Sequence, residues 1–226
     1  MTKTETPPPG AVFELCEQLV DFVCRALGIA LDYTAETLPV LDHYLKSVPE
    51  DEPAAVALVA TTAGAYFGEV ARRTLGGAWE TGDAPPESWQ VRLTGDVTFA
   101  PVGFAAGAIR EAPGPRAQRG VGCDVDEDAG RFDVPPDRRA AVEEALDARG
   151  AVPEDEYYSL SGRLETLMLV VDVVMAAAAP APPTRIGLPG HSCAPAGTCT
   201  AHSKPAIMHS LLIICITPSS RKRDRL

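Results

Sequence analysis

The chain reads as an α+β protein, helices packed around a small antiparallel sheet and followed by a disordered tail. Three observations support this. Apolar residues recur at helical spacing up to residue 75 and again after residue 136. Short stretches separated by Gly, Asp and Pro fill residues 78–100 and read as strands. Both patterns stop near Pro180. The 226 residues therefore divide into a flexible leader at 1–10, one domain at 11–180 and a low-complexity tail at 181–226.

The first helix is marked by Val12, Cys16, Leu19, Val23 and Leu27, with Glu14, Glu17, Gln18, Asp21 and Arg25 on the other side and Gly28 closing it. Asp32 or Thr34 caps a second helix with Leu38, Leu41, Leu45 and Val48 inward, His43 beside Asp42 and Lys46 on its polar face, and Pro49 as its stop. Pro53 opens a third helix running to about Leu75. Ala60, Gly64 and Gly68 fall four apart along it, a ridge without side chains on which another helix can rest. A glycine in a helix costs about 1 kcal/mol relative to alanine, so two of them indicate a packing requirement.

Gly76-Gly77 ends that helix, and Ala78–Thr81, Ser88–Thr94 and Val97–Ala100 follow as short strands, with Thr94-Gly95-Asp96 as a tight hairpin turn. A short helix over Val102–Arg110 comes next. Residues 113–136, rich in Pro, Gly, Arg and Asp, read as a mobile acidic surface loop. Pro136–Arg149 reads as an exposed helix. Glu154–Ala179 reads as one long helix with Tyr157, Leu160, Leu164, Leu167, Met168, Val171, Val174 and Met175 inward and an acidic first turn suited to the helix dipole.

Charge separates domain from tail. Residues 1–180 carry 14 Lys+Arg against 30 Asp+Glu, a net of −16, and residues 181–226 carry 6 against 1, a net of +5, which together give −11. An acidic body repels phosphate backbones, so nucleic acid is not an expected partner, and its field favours basic partners or cations. The tail, rich in Pro, Ser, Thr, Cys and His, fits disorder or translation in another reading frame. No secretory signal opens the chain, and the apolar run Leu167–Ala179 falls short of the ~20 residues of a bilayer span, so no membrane is expected. Six cysteines without such a signal point to reduced thiols in the cytoplasm. Cys16 and Cys24, roughly 12 Å apart along one helix, do not bridge.

The most specific string is Gly64-Ala65-Tyr66-Phe67-Gly68-Glu69-Val70, followed by Arg72-Arg73 and Gly76-Gly77-Ala78-Trp79. It resembles a family of uncharacterised bacterial proteins that share a Gly-Ala-Tyr-x-Gly-Glu helix and a Gly-Gly-x-Trp turn into strands. The likeness spans about residues 31–110. It implies a small cytosolic bacterial domain and supplies no catalytic residue.

Glu69 is the sharpest chemical candidate. A carboxylate among Tyr66, Phe67 and glycines can have the raised pKa of a general acid or base, with Tyr66 or Trp79 as hydrogen-bond partner. The competing reading is an ion pair with Arg72 or Arg73, three and four residues on along the same helix face. Glu165 and Asp172, seven apart, stand about 10.5 Å from each other along one helix face, too far to share a proton. His191, Cys193, Cys199 and His202 offer four zinc ligands in the tail, at separations that match no standard finger. Asp124, Asp126, Glu127 and Asp128 lack the ligand order of a calcium loop. Phosphate-binding, dinucleotide-binding, zinc-protease and nucleophile-elbow motifs are all missing from the sequence, and no cofactor is expected. The composite expectation is a non-enzymatic cytosolic domain that binds another protein through its acidic loop and the faces beside the Gly64 helix. A small hydrolase- or lyase-like enzyme using Glu69 is the first alternative and a zinc-binding tail module the second.

Overall fold

The computed structural model describes residues 7–49, 51–110, 132–150 and 153–178. Among them, seven α-helices surround one four-stranded antiparallel sheet, which is the α+β architecture read from the sequence. The tail at 181–226 and most of the acidic loop lie outside the described residues.

Helix α1, Gly10–Leu27, buries Val12, Cys16, Leu19 and Val23. It ends at Gly28, whose left-handed backbone (φ 71°) lets its N–H reach the Cys24 carbonyl. Asp32 braces the turn before the second helix and does not cap that helix itself, whose N-cap position is Thr37. The Asp32 Oδ1 accepts the Thr34 N–H at 3.0 Å and the hydroxyls of Thr34 and Thr37 at 2.6 and 3.0 Å. This holds a 3-10 turn at Ala35–Thr37 ahead of α2, Leu38–Leu45. Leu38, Leu41 and Leu45 are buried as expected, with Val48 at the margin of the core.

Helix α3, Pro53–Leu75, is the centre of the molecule. Residues Thr62 to Arg72 are buried without interruption, which requires neighbours on every side. Those neighbours are α1, the sheet, α4 (Pro101–Arg110) and α7 (Leu160–Ala178). By length and composition α3 is also the one helix among the described residues capable of crossing a bilayer, but most of it is enclosed by the protein itself. The glycine ridge receives α4 and the first strand. A Cβ on Gly64 would stand 2.5 Å from the Val102 Cα, and one on Gly68 would overlap the Trp79 ring and approach Pro101 to 3.1 Å.

The strands β1 (Gly77–Glu80), β2 (Gln90–Leu93), β3 (Thr98–Phe99) and β4 (Phe132–Asp133) lie side by side in that order. Trp79 pairs with Val91, Val91 with Phe99, and Phe99 with Phe132. The expected turn joins β2 to β3, with positive φ at Gly95 and Asp96 and the Leu93 N–H bonded to the Val97 carbonyl at 2.7 Å. Strand β4 corrects the reading of 113–136 as one loop. Phe132 and Val134 are buried, and that apolar pair docks the end of the segment onto β3.

Helix α5, Arg139–Arg149, runs close to the expected bounds. The long C-terminal helix does not. It is divided into α6, Glu154–Tyr158, and α7 by Ser159, which is extended (ψ 147°) and whose Oγ accepts the Gly162 N–H at 2.9 Å. The set of residues facing inward also differs from the sequence reading. Leu160, Leu164, Leu167, Val171 and Val174 form the buried stripe of α7. Met168 and Met175 follow this stripe by one residue, about 100° around the helix, and are 41% and 47% exposed; Tyr157, on α6, is 38% exposed. Asp172 is exposed. Asp42 is the opposite correction. Grouped with the polar face of α2, it is buried, and its carboxylate accepts the N–H groups of Leu160 and Ser161 at 2.7 and 3.1 Å and the Ser161 hydroxyl at 2.6 Å. An acid on one helix thus caps the start of another.

Candidate functional site

Tyr66, Glu69, Arg72 and Arg73 stand at helical spacing on α3, and β1 brings Trp79 against them. The return from helix to strand depends on Gly76 and Gly77, with φ of 75° and 144°, and a side chain on Gly77 would meet the Arg92 carbonyl of the paired strand. The strand then lays the Trp79 ring over Gly68, where no side chain stands in its way. The string from Gly64 to Trp79 is in this way one packing device, in which the glycines make room and the tryptophan fills it.

Glu69 lies at its centre with no exposed surface. Arg72 grips it in a parallel pair, Nε to Oε2 and Nη2 to Oε1, both 2.9 Å. Arg73 Nε donates to Oε1 at 2.8 Å and Trp79 Nε1 to Oε2 at 3.1 Å. Each oxygen accepts two hydrogen bonds, which fills the four acceptor positions of a carboxylate. Burial raises the affinity of Glu69 for a proton, but the donors Arg72, Arg73 and Trp79 together outweigh it and hold the group below the ordinary carboxylate range. The raised pKa that acid catalysis at neutral pH needs is not what this environment produces. A proton could be accepted only by displacing one of the four donors.

Tyr66 does not join this carboxylate. Its hydroxyl accepts the Tyr33 N–H at 2.7 Å and lies 3.2 Å from the Thr37 hydroxyl. Tyr33 occupies a left-handed conformation (φ 63°), unusual for a non-glycine residue, and is secured at several points. Its ring stacks on Tyr66 at 4.9 Å, the Arg73 guanidinium lies 4.4 Å from its centroid, and its hydroxyl donates to Glu17 at 2.8 Å. Burial, then the bond to Glu17, pushes the Tyr33 phenol upward, and burial does the same for Tyr66. The Cys16 thiol is raised by burial and then by the nearby Glu69 charge, so it stays protonated. The groups joined here are closed against one another. Tyr33, in the loop after α1, and Glu17, on α1 itself, were not legible as members, because only tertiary packing joins them to the side chains of α3.

The remaining candidates fall elsewhere. Glu165 pairs with Arg149 at 2.9 Å and is separate from the Glu69 cluster. His43 is exposed on α2. His191, Cys193, Cys199 and His202, with the acids 124–128, lie outside the described residues. Among the described residues no three His, Cys, Asp or Glu side chains gather as a metal-ligand set.

Fold and site together define an α+β domain whose most distinctive residues form a charge-satisfied structural centre. No protein-family model, curated protein or solved structure matches the chain.

Proposed function

We propose that this is a non-enzymatic, cytoplasmic protein-binding domain. The observation that carries the reading is the saturation of Glu69, the one acid in the most specific motif, by four donors. With its acceptor positions occupied and its proton affinity lowered, Glu69 serves the fold better than it serves a substrate. A binding role draws further support from large apolar side chains left in solvent on α7, where Met168 and Met175 are nearly half exposed. The acidic body favours a protein partner over nucleic acid or an anionic membrane. The free thiols Cys16 and Cys24 fit a reducing compartment. The test is to express the full chain with an affinity tag in its native host and analyse what co-purifies. A second protein in constant stoichiometry is expected. Recovery of the chain alone, together with turnover of an ester, amide or lyase substrate by the purified protein, would overturn the reading.

A further inference from the structure

We infer that the groove between α5 and α7 receives a basic amphipathic helix from a partner protein, an assignment that rests on the protein-binding reading above and gives it a surface. The groove is lined by Ala145, Ala148 and Arg149 of α5 and by Glu165, Met168 and Leu169 of α7. Its lining is mostly apolar. Small alanines on one wall and a flexible methionine on the other leave room for inserted side chains. The lining runs from Ala145 to Arg149 on α5 and from Glu165 to Leu169 on α7, four residue steps or about 6 Å along each helix, a little over one helical turn. A second helix presenting apolar residues at positions i and i+4 matches that length.

Charge selects the chemistry of the occupant. Glu144 lies one turn before Ala148 on α5, and Asp172 one turn after Met168 on α7; both are exposed. Arg149 is the cation of the lining, and it is engaged by Glu165 at 2.9 Å and by Thr166 at 3.3 Å. Arg138, at the N-terminal end of α5, is turned onto Asp137 and the Ala177 carbonyl. The rim is therefore acidic around an apolar floor, and a helix with a Lys/Arg border along an apolar stripe is its complement. An acidic or neutral helix meets repulsion or leaves the rim charges without partners.

The probe is a synthetic 14-residue Leu/Lys peptide with leucines at helical spacing, titrated into the full chain and read by fluorescence anisotropy. An isomer of the same composition with the leucines scattered serves as its control. Met168→Glu separates groove docking from general attraction, because it adds a negative charge while spoiling the apolar floor. Docking predicts that this change weakens the peptide at least tenfold, that Asp172→Lys weakens it about threefold or more, and that Asp21→Lys, on the exposed face of α1, changes it less than twofold. Binding by Met168→Glu that is equal or tighter, or equal binding of the scattered isomer, would reduce the effect to non-specific charge attraction and sink the groove assignment. Affinity that rises when Leu212 and Ile213 are replaced by Asp would assign the groove to the chain's own C-terminal segment and overturn the assignment to a partner. A partner captured from the host whose binding ignores Met168→Glu would keep the protein-binding reading and remove the groove from it.

Discussion

Arg72 holds Glu69 through two parallel hydrogen bonds of 2.9 Å, one to each carboxylate oxygen, and both residues are buried. A pair of this kind stabilises the fold only while both members are present. Removing the acid leaves a guanidinium in a site built for an anion, with Arg73 beside it. Glu69→Gln is therefore expected to lower the unfolding free energy by about 3–5 kcal/mol, measured by urea denaturation at pH 7. A loss under about 1 kcal/mol would show that the arginines regain water on their own.

The same carboxylate gives a signed pH dependence. Its folded pKa lies below the ordinary 4.5, so the folded state binds the proton less readily than the unfolded chain. The contribution is complete above 4.5 and fades as pH falls through the lowered folded value. Urea midpoints of wild type and Glu69→Gln, measured from pH 7 to pH 3, should converge toward the acid end. A gap that widens on acidification would reverse the assignment.

Trp79 both fills the space above Gly68 and donates to Glu69. Trp79→Phe keeps an aromatic ring there and loses the 3.1 Å hydrogen bond to a charged acceptor, a cost of about 1.5–3 kcal/mol. Trp89 lies edge-on to Trp79, with centroids 6.3 Å apart, so its emission provides a second readout of whether the packing persists. Unchanged stability in Trp79→Phe would mean that the indole N–H contributes nothing net.

Gly64→Ala opposes two local effects. Helix propensity favours alanine by about 1 kcal/mol. The new methyl, however, would lie 2.5 Å from the Val102 Cα, and relief requires α4 to move. Overpacking of this kind costs about 1–3 kcal/mol, so net destabilisation is expected by thermal or urea unfolding. A stabilised variant would show that α4 yields to the added methyl at little cost.

Asp42 and His43 are neighbours with opposite roles. Asp42→Ala uncaps α7, leaving the Leu160 and Ser161 N–H groups without their acceptor, and should cost about 2 kcal/mol. His43→Ala, on the exposed side of α2, should fall within about 0.5 kcal/mol of wild type. Comparable losses for the two would contradict the cap.

Much of the fold was legible because its causes are local. Pro53 pre-forms a helix start, Gly28 adopts a conformation that β-carbons disfavour, and Gly95-Asp96 closes a hairpin between strands of matching pattern. The break at Ser159 was less legible, since residues on both sides of it carry helical periodicity. Its signal was Ser159 three residues before Gly162, a cap inside an apparently continuous helix. Strand β4 gave almost no signal, because two residues have no readable period and only pairing with β3 defines them.

By itself the sequence determined the helical stripes of α1 and α2, the start and end of α3, the glycine ridge and the choice between Glu69 as an ion-pair partner and Glu69 as a catalyst. Tertiary structure decided how that choice reads: Arg72 and Arg73 come from the same helix, but the fourth acceptor position is filled by Trp79, ten residues on and in a strand. It also decided that Asp42 reaches across 118 residues to cap α7 and that Met168 and Met175 face water. Periodicity specifies direction around one helix axis. A hydrogen-bond partner or a buried face depends on where a second element comes to rest, and no local pattern contains that position.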